Sequence, residues 1–201
     1  MGRCTIYQAL PERSVLFERI SKDRPIRLLF IVLFNQGRGP LHLRHLEKTS
    51  PEALAQSDEY EDLDAVKRAF FELESEADRA IHEHPGLTER YAFLQKSEFE
   101  IERRLTAELA RRGINEVEAV VRRMIFGEDG MWPDPDIEEW GLGLVRARDV
   151  RIGADLLKPI EPDTLFGVSE TESANRDDYK ALRDLYIDAS ERDEVIVMRS
   201  S

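Results

Sequence analysis

The rhythm of apolar and polar positions changes several times along the chain, and each change predicts an element. "CTIYQAL" near the start alternates, with the strand-favouring Thr5, Ile6 and Tyr7, and predicts a short strand. Pro11 then opens "PERSVLFERIS", where Val15, Leu16, Phe17 and Ile20 make one apolar helical face. The run "RPIRLLFIVLF" fits a buried strand and a buried helix equally, and it stops at the turn cluster "NQGRGP". From Asp62 a helical spacing sets in. Leu63, Val66, Phe70, Leu73, Ala77 and Ala80 recur three or four residues apart and paint a single stripe.

Pro85 and Gly86 interrupt that stripe. Leu87, Tyr91, Leu94, Ile101, Leu105 and Leu109 then predict a second helix over 87–112, with Thr88 as its cap and Gly113 as its stop. "INEVEAVVRRMIF" reads as a third helix capped by Asn115. The short link at 84–87 predicts that the first two pack as an antiparallel helical hairpin. After Phe126 glycines and prolines make a surface loop, with one helical turn expected at 136–140. "LVRARDV" then reads as a strand and "RIGADLLKPI" as a helix. "NRDDYKALRDLYIDASERD" predicts a terminal helix capped by Asn175, and "EVIVMRS" a closing strand. Strands at both ends with helices between predict an α+β fold. Its small mixed sheet forms near the two termini and packs against a largely helical middle. One domain spans 1–201, with 60–126 as a helical hairpin or insertion.

Composition narrows the class. With 201 residues, 41% hydrophobic and 35% charged, the chain can bury a sizeable core beneath a well-solvated surface. The longest apolar run, Leu28 to Phe34, is too short to cross a bilayer. The first ten residues lack the pattern of a signal peptide. A single cysteine, Cys4, suits a reducing compartment. These features predict a cytoplasmic protein. Its net charge of -12 is uneven: +5 over residues 1–50, -8 over 51–85, +1 over 86–126 and -10 over 127–201. That balance repels nucleic acid and anionic membranes and steers basic partners inward.

Candidate chemistry is sparse. Gly141 and Gly143 form a Gly-x-Gly, but they precede a predicted strand rather than a helix, and Arg146 stands where a dinucleotide loop needs glycine. They read as architecture. His42 and His45, with His82 and His84, match no zinc-site spacing, so no metal or cofactor is expected. Cys4 has no identifiable base beside it. The arginines 103, 104, 111, 112, 122 and 123 are interleaved with glutamates, which predicts pairing along the helices. Trp132 and Trp140 bracket an acidic loop holding Asp134, Asp136, Glu138 and Glu139. These six residues form the candidate binding site, since loop aromatics anchor partners or line pockets. Catalytic residues are not identifiable.

The opening "MGRCTIYQALPERSVLFERI", with "RRMIFGEDG", "GLGLVRARDVRIGADLLKPIEPDTL" and "YKALRDLYIDASERDEVIVM", resembles the YfbM-like bacterial family, a domain of unknown function. Residues 50–115 are longer and more helical than that family's pattern, which marks this chain as a divergent member with a helical insertion. The resemblance implies an α+β fold and a cytoplasmic location, and it brings no catalytic residues. The expected function is a non-enzymatic interaction module binding a basic partner, of the immunity type. The alternatives are a hydrolase using His42, His45, His82 and acidic neighbours, with or without a metal, and a small-ligand site under the Trp132–Trp140 loop.

Overall fold

Alternating side chains at the two ends of the chain meet in one sheet. The structure, a computed structural model, describes residues 4–22, 63–127 and 143–200. The chain forms two compact units, Met1–Glu12 with Arg90–Ser201, and Arg13–Glu89. The division, between Glu89 and Arg90, falls inside 60–126.

In the first unit, β1 (Cys4–Pro11) lies between β2 (Tyr91–Gln95) and β4 (Glu194–Ser200), and β3 (Gly143–Val145) adds to the far side of β4. All pairings are antiparallel, where a mixed sheet was expected. Tyr7 stands opposite Ala92 on one side and Met198 on the other. With side chains alternating between faces, Tyr7, Ala9, Leu94, Ile196 and Met198 join the helical core. Ile6, Gln8, Leu10, Val195 and Val197 on the other face are buried too. The fold is therefore α+β, with the chain ends side by side in the sheet.

The helix expected over 87–112 divides into a 3-10 turn at Leu87–Glu89, strand β2, and a helix at Glu98–Arg111. β2 takes the edge of β1, and its burial alternates with the period of a strand. Lys96, at φ 65, reverses the chain into the helix.

We label the helices α1 (Val15–Lys22), α2 (Leu63–Glu83), α3 (Glu98–Arg111), α4 (Val117–Phe126), α5 (Ala147–Leu157), α6 (Pro162–Phe166) and α7 (Ser173–Glu191). α3 and α4, joined by a short connection, pack against each other. Neither expected asparagine caps a helix: Glu116, at φ 54, precedes α4, and α7 starts two residues before Asn175, whose amide donates to Glu172.

Two glycines are dictated by packing. A Cβ on Gly143 would lie 2.5 Å from the Phe126 carbonyl oxygen, so β3 enters the sheet only as bare backbone. A Cβ on Gly153 in α5 would meet the Tyr186 ring at 2.7 Å, so α5 and α7 pack closely only because that side chain is missing. Gly141 lies outside the described residues.

In the second unit, Ser14 Oγ accepts from the Phe17 amide at 3.1 Å and caps α1, which buries Leu16, Phe17 and Ile20. The α2 stripe buries Leu73, Ala77 and Ala80. Arg19 of α1 pairs with Glu72 of α2. The run at 26–34 lies outside the described residues. Among those described, no helix is long and apolar enough to cross a membrane.

Candidate functional site

The six loop residues expected to bind, Trp132, Asp134, Asp136, Glu138, Glu139 and Trp140, lie outside the described residues, as do His42 and His45. His82 is exposed in the last turn of α2, and His84 follows half-buried, its backbone amide donating to the Ala80 carbonyl at 2.9 Å. Among the described residues no group of three or more histidine, cysteine or acidic side chains is arranged to hold a metal.

A polar cluster that sequence reasoning missed sits where β2 turns into α3. Ser97 occupies the capping position of α3, yet its hydroxyl does not serve the helix amides. It donates instead to Asp178 Oδ2 of α7 at 2.6 Å, and the same oxygen accepts from the Gln95 amide at 2.8 Å. Asp178 thus ties the strand end and the helix start to α7. Beside Ser97, Glu98 is 0% exposed, and among the described residues neither of its carboxylate oxygens accepts a hydrogen bond. Buried acids are almost always hydrogen-bonded, because stripping the charge of water without compensation is costly. The only sequence signal was the "KSEFE" stretch, which resembles an ordinary helix start.

Two tyrosines, one from the sheet and one from α7, reach the end of α4. Tyr7 Oη donates to the Ile125 carbonyl and Tyr186 Oη to the Met124 carbonyl, both at 2.7 Å. These are last-turn carbonyls of α4, which have no partner within their own helix. Burial, and after it the charges of Tyr186, Glu98 and Asp178, push the Tyr7 phenol well above its ordinary value. Burial pushes Tyr186 up as well. Both therefore stay protonated and act as donors, not as bases. The hydroxyls of Tyr7, Tyr186 and Ser97 and the Gln95 amide are thus all committed as donors.

The charged surface of this unit is arranged unequally. On α3, Glu100 accepts from Arg103 and Arg104, and Glu108 from Arg111 and Arg112. Hydrogen bonds from Arg103 and Arg104 hold the Glu100 carboxyl down at about 2. In these pairs the arginine is often outermost: Arg111 is 69% exposed against 11% for Glu108. Around α6 and the start of α7 the order is reversed. Arg183, 14% exposed, lies beneath Glu161 at 67%, and Arg176, at 24%, lies beneath Asp163 at 64%. Residues 161–178 hold six acids and one arginine. Glu170 and Asp177 are also exposed there, as is Val168 at 79%.

A buried ion pair joins Arg90, before β2, to Glu194, the first residue of β4. Gln8 Nε2 donates to the Arg90 carbonyl at 3.0 Å, so the pair is stitched to β1. Burial raises the Glu194 carboxyl above its usual range despite the guanidinium.

Comparison of the chain with protein-family models, curated proteins and solved structures gave no match.

Proposed function

We propose that this protein is a non-enzymatic interaction module that binds a basic partner through the acidic face at 161–178. The observation that carries the reading is the layering of charge. The arginines of this face lie beneath their carboxylates, so the outermost groups are Glu161, Asp163, Glu170 and Asp177. Exposed Val168 adds apolar area in their midst. Such an arrangement steers a cationic surface inward and offers it a desolvated contact on arrival. On composition alone, Trp132, Asp134, Asp136, Glu138, Glu139 and Trp140 stay in this reading as partner contacts.

Membership in the YfbM-like bacterial family and a cytoplasmic location belong to the same proposal. The support is the order of elements along the quoted stretches: β1 then α1, α4 running into Gly127, β3 followed by α5 and α6, and α7 closing into β4. An immunity-type role follows if the partner is a basic toxin.

The test uses a lysine-rich peptide of defined sequence and the quadruple variant E161Q/D163N/E170Q/D177N. Exposed charge pairs contribute about 0.2–1 kcal/mol each, so the variant should bind roughly tenfold or more weakly. A control variant with the same kind of change elsewhere, E116Q/E118Q, should bind like the parent. Affinity of the parent should fall steeply between about 0.05 M and about 0.5 M salt. Equal binding by both variants would remove the acidic face from the reading.

A further inference from the structure

One row of α3 carries guanidinium groups with donors to spare. Positions 104, 108 and 112 lie four apart and form one row along the helix. That row is the border with the acidic face: Arg104 donates to the Leu165 carbonyl at 3.1 Å and to Glu172 at 2.8 Å, and Arg112 to the Pro159 carbonyl at 3.3 Å. Arg103, Ala107 and Arg111 form the next row, exposed throughout. Arg103, 66% exposed, uses Nε and Nη2 on Glu100, and Arg111 does the same on Glu108. A guanidinium has five N–H donors, and among the described residues the Nη1 groups of both have no acceptor. Ala107 leaves only a methyl group between them, and Ile114, 39% exposed, follows the end of the helix.

Across the border the spare groups are acceptors. Glu170 and Asp177 are exposed and form no ion pair among the described residues. Both sides belong to one unit, Met1–Glu12 with Arg90–Ser201. A surface with the two signs side by side complements itself after a half-turn, and every contact between two copies is then made twice. We propose that this surface joins two copies of the chain in a two-fold dimer, with Arg103 and Arg111 of each against Glu170 and Asp177 of the other. Ile114 and Val168 supply the apolar part of the contact. The dimer rests on the reading of the acidic face as a receiver of cations, and it names the cation. A basic partner of another kind would fill the acidic half and leave the arginine row unmatched. The net charge of -12 opposes the approach of two copies from a distance. At physiological ionic strength that repulsion is screened beyond about 8 Å, whereas charges in contact are screened least.

The test is sedimentation velocity of the full chain over about 0.01–1 mM, the range of weak association, at physiological salt. The parent should pass from monomer to dimer and no further, since a two-fold contact closes on itself. R103E/R111E and E170K/D177K should each stay monomeric, because each sets like charges against one another. Their equimolar mixture should dimerise as the parent does, because the two reversals complement. Should a reversed pair fail to fold, R103Q/R111Q takes its place. Arg104 and Arg112 still serve Glu100 and Glu108 there, and the dimer should weaken about tenfold or more. A parent that stays monomeric, folded variants that dimerise like the parent, or a mixture of folded variants that does not recover overturns the dimer. R103E/R111E keeps the acidic face and must still bind the lysine-rich peptide. A monomeric parent that binds the peptide removes the dimer and leaves the partner reading standing.

Discussion

Tyr7 and Tyr186 show how a single side chain can serve two elements at once. Each ring fills the core between sheet and helices, and each hydroxyl reaches a carbonyl at the end of α4 that the helix cannot satisfy itself. Tyr7→Phe keeps the ring and strands the Ile125 carbonyl in the interior. The variant should lose about 1–3 kcal/mol of stability in a denaturant titration, the range for an orphaned buried polar group. A loss near zero would mean that the carbonyl finds another donor. Sequence marked Tyr7 only as a strand-favouring residue, because its hydrogen-bond partner lies 118 positions away. The burial of Glu98 and the Ser97–Asp178 contact were hidden for the same reason. An acid before an apolar helix reads as a favourable first-turn charge, and only tertiary packing decides that it is enclosed.

Elements whose apolar period had no competitor were legible. β1, α7 and β4 were expected from alternation or from helical spacing and form close to the expected positions, whereas α1 starts at Val15 rather than Pro11, and the strand expected over 144–150 ends at Val145 and gives way to α5 from Ala147. β2 was not, since Tyr91 and Leu94 also continue the spacing of Leu87 and Ile101. Five residues cannot separate a period of two from a helical one, and here the open edge of β1 made the choice. The packing of α5 on α7 was likewise invisible, because it depends on Gly153, which in isolation only weakens a helix. In an isolated helix Gly153→Ala would stabilise. In this fold the new Cβ would approach the Tyr186 ring at 2.7 Å, and the ring is itself pinned by its hydroxyl. We expect G153A to destabilise by about 1–3 kcal/mol, as overpacked cores do. A stabilised variant in thermal unfolding would show that the two helices separate freely.

At the scale of the whole molecule, charge is layered in opposite senses on one unit: arginine over glutamate on α3, carboxylate over arginine around α6 and α7. The layering makes the response to acid a sum of opposed contributions. Glu100 is held down at about 2 by Arg103 and Arg104. Its stabilising contribution is therefore present above its ordinary value of 4.5, and it fades as pH falls from there through about 2. Glu194 works the other way. Burial raises its carboxyl, so its contribution is present below the same ordinary value and fades as pH rises through the raised one. Substituting one acid separates the two. Glu100→Gln should be less stable than the parent by a constant margin above about pH 5. That margin should shrink on acidification and vanish below about pH 2, where the parent carboxyl is itself neutral. Urea titrations of both proteins across that range provide the measurement. A margin that stays constant down to the lowest pH would mean that Glu100 acts through its shape and hydrogen bonds, with its charge contributing nothing.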